Sequence, residues 1–439
     1  MTRRHLLTVA ATLSAALIAL TACSSGASDP PADSSDSTAQ VTLRYLSHNN
    51  AAQIAFDDAL IAAFNVDHPN IEIKVEYGPD SVQAENYVKT QLATGEMADV
   101  FTYNSGALLM ALNPEDTLVD LSGEPWMADV TDRFQAVVKA GDSIVGAPNG
   151  ASGAGGILYN KKVYADLGLT VPTDWAQFKA NNEKVKAAGL IPVLQSYGDG
   201  YTAQFAILSD YGNVATEDPG WADKYTANQA KFADEPALAG FRHLASFVQD
   251  GFLNEDYPAM TLDQALTQLM EGKAAHYPSY SGMLMSMLQI DEALVDDVGL
   301  FPQPADDAAH TSLTIWEPSA WYIPKTTTGA KLDAAKAFLA FALSEEGCAV
   351  YNTEYLSTGA YEVSTCEIPT DSAALTQDVV KYSEGNSAPA LEFVSPVKGP
   401  NLISIAVAVG SGITSAEEGA RQYDLDVEKQ AQQLGLEGW

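Results

Sequence analysis

The stretch VTLRYLSHNNAAQIAFDDALIAAFNVDHPNIEIKVEYG, residues 41 to 78, changes its apolar period twice. Val41, Leu43 and Tyr45 alternate, which predicts a half-buried strand. Ile54, Leu60, Ile61 and Phe64 then recur with helical spacing until His68, Pro69 and Asn70 break the helix. Ile71, Ile73, Val75 and Tyr77 alternate again. Beyond them Ala84, Val88 and Leu92 predict a second helix ending near Gly95, and Ala98 to Tyr103 an apolar strand. This β-α-β-α-β order predicts an α/β fold, an open sheet with helices on both faces. Such sheets take ligands beyond the carboxyl ends of their strands. Here those ends are Ser47, His48 and Asn49 for the first strand, and Tyr103, Asn104 and Ser105 for the third. His48 serves equally as a helix cap or as a ligand contact.

Further along, GILYNKKVYADLGL leads into a helix that Asp174 can cap, carrying Trp175, Phe178 and Val185 and stopped by Gly189. IPVLQS follows as a strand, with Tyr197, Gly198 and Asp199 at its carboxyl end. Then come LTQLMEGKAAHYPSYSG, a strand in VGLFPQP, the loop TIWEPSAWYIP, a helix through DAAKAFLAFALSEEGCAVY and a terminal helix around SAEEGARQYDLDVEKQAQQLG. No fixed-period repeat of the solenoid or propeller kind is present. Trp175 and Tyr159 suit a core and Trp321 a hinge, whereas Trp316, in a polar loop beside Glu317, suits a ligand.

Before residue 41 the chain has a different character. Arg3 and Arg4 precede LLTVAATLSAALIALTA, the basic start, apolar middle and small-residue finish of an export signal; its seventeen residues also leave a membrane span open. The residues from Ser24 to Gln40 are mostly Ser, Asp, Pro and Ala, too poor in apolar surface to offset the entropy of ordering. As a coil they reach roughly 23 Å. No later run is long and clean enough to span a bilayer; LISIAVAVG near residue 405 has core-element length.

About 400 residues follow the tether, more than one core usually organises, so two lobes are expected. The net charge of −34 disfavours nucleic acid, which is held by cationic contacts to phosphate, and gives no grip on anionic lipid. It favours a soluble monomer. Beyond Cys23 only Cys348 and Cys366 remain, either one disulfide or two buried thiols.

Signatures of catalysis fail on single residues. GASGA at 150 to 154 ends in Ala154 where G-x-S-x-G needs glycine, and GAGGIL ends in Leu158 where G-x-G-x-x-G does. The six histidines form no H-E-x-x-H, and two cysteines eighteen apart make no zinc site. Asp424 and Glu428, four apart, form a solvated helix face rather than a calcium loop. A glycosidase carboxylate pair is set by space and is not visible in sequence. No cofactor and no metal is expected.

Two resemblances sharpen these expectations. Leu20, Thr21, Ala22 and Cys23 resemble the bacterial lipobox, which implies cleavage of residues 1–22 and lipid on Cys23, with residues 23–40 as a tether to the outer face of the cell membrane. HPNIEIKVEY, LATGEMADVFTYNSG, IVGAPNGASGAGGILYNKKVYADLGLTVPTDWAQF, MEGKAAHY, VGLFPQP, AWYIPKTTTGAKLDAAKAFLAFALSEEG and TSAEEGARQYDLD fall in the order found in bacterial extracellular solute-binding proteins of carbohydrate ABC transporters. The chain resembles that maltose-binding-protein-like family over nearly all its mature length.

The resemblance implies a two-lobe, type II periplasmic-binding-protein fold with hinge crossings. The lobes would be 41–149 plus 322–368 and 150–321 plus 369–439. It implies a binding protein rather than an enzyme, with a sugar or oligosaccharide closed between the lobes and delivered to the permease subunits. The implied ligand contacts are His48 or Asn49, Tyr103 and Asn104, Ser152, Gln195 and Tyr197, Tyr280, and Trp316 with Glu317. AHYPSYSG lacks the Trp-containing continuation usual there, which leaves Tyr280 as the aromatic of that wall. A sugar suits such residues: its C–H face packs on flat rings and its hydroxyls need amide and carboxylate partners. A same-fold receptor for a peptide or polyamine, or a lipoprotein glycosidase, are the alternative expectations.

Overall fold

The computed structural model describes residues 40–79 and 82–439. The proposed signal, lipobox and Cys23 lie outside the described residues. In chain order the strands are β1 (Val41–Ser47), β2 (Ile71–Tyr77), β3 (Val100–Tyr103), the ribbon β4 (Lys139–Ala140) and β5 (Ser143–Ile144), β6 (Gly146–Asn149) and β7 (Gly153–Asn160). They continue as β8 (Ile191–Val193), β9 (Ala274–Tyr280), β10 (Val298–Phe301), β11 (Leu313–Trp316), β12 (Ser319–Tyr322) and β13 (Ser387–Pro389). Among the described residues no helix is long and apolar enough to cross a membrane.

Two larger sheets form. The first has the order β2-β1-β3-β12-β6. Its parallel half is the opening sequence pattern in three dimensions: Val41 to Ser47 pair in register with Ile71 to Tyr77, and Tyr45 sits beside Val100. The helix Ala51–Asp67 between β1 and β2 buries Phe56, Leu60 and Phe64, one apolar stripe facing the sheet. Asn50, not His48, is its cap: the Asn50 side chain accepts from the Gln53 N–H at 2.9 Å. The helix stops before Pro69, whose ring disfavours helical geometry at the preceding residue.

β12 runs antiparallel between β3 and β6, so the sequence-based lobe border, drawn after Trp321, comes three residues late. Pairing on both edges claims Ser319 to Tyr322 for the first sheet. Trp321 is fully buried there and donates to the Tyr45 hydroxyl at 3.0 Å, which in turn meets Thr102 at 3.1 Å. Three strands are thereby joined by side chains as well as by their ladder.

The second sheet has the order β13-β11-β7-β9-β8, with β10 also paired to β7. It is buried on both faces: Ile157 belongs to a core with Phe178, Phe241 and Tyr423, and its neighbour Leu158 to another with Leu266, Tyr277 and Leu284. This explains why the strands there read as near-continuous apolar runs. Trp175 lies in the first of these cores, stacked on His243 with centroids 3.7 Å apart.

The chain passes between the sheets at Asn149 to Gly153, at Trp316 to Ser319, and again after the helix Glu345–Glu354, which packs Tyr351 edge-on against Phe56 of the first core. The first and third passages are zipped together: Ser152 donates both its N–H and its hydroxyl to the Ala360 carbonyl, at 2.8 and 2.9 Å. Thr131 and Ser364 add backbone bonds to Glu362 and Asp129.

At the centre of this hinge is Arg133, on the helix Asp132–Val137. Its guanidinium donates to Glu362 at 2.6 Å and to the Ser387 hydroxyl of β13 at 3.1 Å. Its Nε approaches Glu317 to 2.9 Å, off the hydrogen-bonding line. Both carboxylates have no exposed side-chain surface, against 16% for Arg133. Glu317 is therefore a buried hinge carboxyl held against Arg133. Burial, then the nearby Glu362, push its carboxyl up to about 8, with Arg133 opposing.

Cys348 and Cys366 are joined, with Cα atoms 5.3 Å apart, and tie the helix Glu345–Glu354 to the third passage. Replacing both by alanine should lower the unfolding free energy by about 3 kcal/mol for a loop of this length, measured by urea denaturation. An unchanged midpoint would show that the bridge constrains nothing.

The Glu317 carboxyl holds its proton better folded than unfolded, so its contribution to stability is complete below its ordinary 4.5 and is lost as pH rises through about 8. E317Q should accordingly lose less stability than wild type between pH 5 and pH 8. Parallel pH profiles of the two proteins would refute this assignment.

Candidate functional site

The carboxyl ends of β1 and β3, side by side in the first sheet, open onto a hollow of about 320 Å³. Ser47, His48, Glu85, Tyr87, Tyr103 and Asn104 are among its walls. Tyr103 is 3% exposed, yet its hydroxyl has no hydrogen-bond partner among the described residues. Burial, and secondarily the Glu85 charge, push this phenol up to about 12, so it stays a neutral donor at physiological pH. Asn104 is exposed, and its backbone carbonyl accepts from the Tyr322 hydroxyl at 3.0 Å. Glu85 stands across an ion pair of 3.9 Å from Lys89 and keeps acceptor capacity. Such a hollow offers one buried phenol and an amide as donors and a carboxylate as acceptor.

The second sheet presents aromatic surface at corresponding strand ends. Tyr280 ends β9 and stacks on Phe205, 5.4 Å between centroids and 23° between planes. Trp316 ends β11 with its ring 6.4 Å from Tyr280, and Tyr201 meets Phe205 edge-on at 6.2 Å. Tyr201, Phe205, Tyr280 and Trp316 therefore form a row of rings. The strand between β9 and β11 makes room for it, because a Cβ on Gly155 would fall 2.4 Å from the Trp316 ring. Glycine there lets the indole lie against the β7 backbone. The Trp316 N–H is bound by Glu392 at 3.0 Å.

The residues expected from sequence thus divide. His48, Tyr103 and Asn104 line the first hollow; Asn49 is exposed next to it and is not among its walls. Tyr280 and Trp316 are neighbours in the ring row. Ser152 and Glu317 are committed to the hinge. Gln195 is fully buried, with both amide atoms unpaired among the described residues. Tyr197 is in the core of the second lobe against Tyr257, its hydroxyl directed at Gly410. Both are thus buried side chains of the second lobe. Sequence alone misses Glu85, Tyr87, Tyr201 and Phe205. The spacing of Tyr201 and Phe205, one helical turn apart in YTAQF, is the signal that was available for two of them. Among the described residues no group of His, Cys, Asp and Glu is arranged to hold a metal ion.

Comparison with known proteins adds to this geometry. The family profile described as bacterial extracellular solute-binding protein matches residues 49–347. The multiple sugar-binding protein of Streptococcus mutans is 23% identical over 274 residues, covering 60% of this chain and 62% of that protein, less than two thirds of its length. Among solved structures, a binding protein msme from Bacillus subtilis in an open conformation is 16% identical, with TM-score 0.73 over 91% of this chain and 100% of the other. The apo-form of RafE from Streptococcus pneumoniae is 17% identical, with TM-score 0.73 over 90% and 98% of the two chains. The bacterial solute receptor AcbH is 16% identical, with TM-score 0.72 over 90% and 99%. These likenesses establish the mixed α/β, two-lobe binding-protein fold.

Proposed function

This chain belongs to the bacterial extracellular solute-binding proteins, and from that premise we propose that it is a receptor for a sugar or oligosaccharide, which it closes upon by hinge motion and hands to an ABC importer. The observation that carries the proposal is the ring row Tyr201, Phe205, Tyr280 and Trp316. The flat ring faces, exposed at Tyr201 and part-exposed at Tyr280 and Trp316 over a buried Phe205, match the C–H faces of pyranose rings. Tyr103, Asn104 and Glu85 supply the donors and acceptor that a hydroxyl rim needs. Relatives point to the same ligand class. One is a multiple sugar-binding protein, RafE has been captured with raffinose, and AcbH prefers b-D-galactopyranose.

In this mechanism the ligand contacts both lobes only when they are closed, so binding shifts the population toward the closed form and the permease meets that form. The lobes are assigned as 41–149 with 319–368 and 150–318 with 369–439, the hinge being the zipped passages around Ser152, Glu317 and Glu362. Lipid on Cys23 and the tether to residue 40 would hold a monomer at the outer face of the cell membrane.

The test is a thermal-shift and calorimetric screen over mono- and oligosaccharides. At least one should raise the melting temperature and bind stoichiometrically, and should be recovered chemically unchanged. W316A should weaken that sugar about tenfold or more, as truncating an aromatic anchor does, with the far-ultraviolet spectrum intact. Absence of any heat of binding, or release of hydrolysis products, would overturn the proposal.

A further inference from the structure

The one-turn helix Leu391–Val394 lies between the two lobes and touches both. It starts on the second sheet, where the Ala390 N–H donates to the Ile315 carbonyl at 2.7 Å, one residue before Trp316. Leu391 then packs against the core of the second lobe, alongside Phe232 and Tyr423. Two positions on, Phe393 packs against the core of the first lobe. Its backbone closes on Gly106, just past the end of β3, so tightly that a Cβ there would be 2.5 Å from the Phe393 Cα. Gly106 has φ of 72°, which glycine alone adopts without strain, and its N–H is fixed to the Val137 carbonyl at 2.7 Å. Phe393 is thus seated on a rigid part of the first lobe.

Glu392 stands between these two anchors. One carboxylate oxygen accepts the Trp316 indole N–H at 3.0 Å, and the other accepts the Lys398 ammonium at 2.9 Å. With both oxygens engaged the carboxylate is held in one rotamer, and a charged acceptor makes the stronger kind of hydrogen bond. The indole, pressed on Gly155 from one side, has its in-plane rotation fixed by this bond from the other. Without the acceptor a part-buried N–H would be left unpaired, and the ring would turn to find another partner.

We propose that Glu392 is a positioning residue: it sets the plane of the Trp316 platform and, because its neighbour Phe393 is seated on Gly106, makes that plane respond to the separation of the lobes. The ring face offered to a ligand is then matched to lobe position, so sugar affinity depends on a residue that need not touch sugar. The proposal rests on Trp316 meeting the ligand.

The experiment reads Trp316 emission as the difference between each protein and the same protein carrying W316F. In the absence of sugar, E392A should shift this component to longer wavelength, whereas E392Q, which retains an acceptor oxygen, should leave it near wild type. F393A should shift it while the Glu392 side chain is still present. With the sugar found in the screen, E392A should bind about tenfold more weakly and lose the emission change on binding, and E392Q should recover most of both. An E392A spectrum identical to wild type, or F393A without effect on it, overturns the proposal. The sugar-free measurement stands by itself: failure of wild type to bind any sugar would sink the receptor assignment, and failure of the spectra to move would sink the role of Glu392.

Discussion

One buried guanidinium holds the hinge. Removing a charge from water costs several kcal/mol, so ions kept in an interior must find partners in good geometry. Arg133, carried by the first lobe, meets Glu317 on the second passage, Glu362 on the third and Ser387 on the second sheet. These groups sit in separate stretches of chain and meet only when both lobes are in place. Two carboxylates share one cation, and the surplus is eased by a proton on Glu317. Around this centre the Ser152 to Ala360 bonds and the Cys348 to Cys366 bridge bind the first and third passages to the first lobe.

That arrangement explains the division of labour at the candidate site. Polar donors and acceptors gather at the ends of parallel strands in one lobe, and flat rings at strand ends in the other. The helix Leu391–Val394 is a fourth, non-crossing contact between the lobes, reaching from the core of one to Gly106 of the other. Through Phe393 the segment that binds Trp316 also rests on the first lobe.

Much of this was legible in the sequence where periodicity reports burial. β1, the helix after it and β2 follow the patterns of Val41 to Tyr45, Phe56 to Phe64 and Ile71 to Tyr77 because each buries chiefly one face, whereas β3, buried throughout, reads as an unbroken apolar run. Trp316 reads in sequence as an aromatic of a polar loop, and the structure places it at the end of β11 beside Tyr280. Glu317, its neighbour, pairs in space with Arg133, an ion pair that leaves no local pattern in the sequence. A hydroxyl bound to Ala360, as at Ser152, and a phenol packed against Gly410, as at Tyr197, look identical in sequence to free ones. The border at β12 was missed because Ser319 to Tyr322 reads as a continuation of its loop, and pairing on both sides is a property of the assembled sheet.

The position of β12 has a consequence for how the protein comes into being. The nascent chain leaves the first sheet at Asn149 and does not return until Ser319, yet the returning strand belongs between β3 and β6. β6 has no other neighbour in that sheet, so it waits, unladdered, while the ribosome makes the whole intervening segment. Neither lobe is a contiguous fragment, and shortening the chain from its C-terminal end opens both. Long-range pairing of this kind slows folding, and the first sheet is complete only when β12 arrives between β3 and β6.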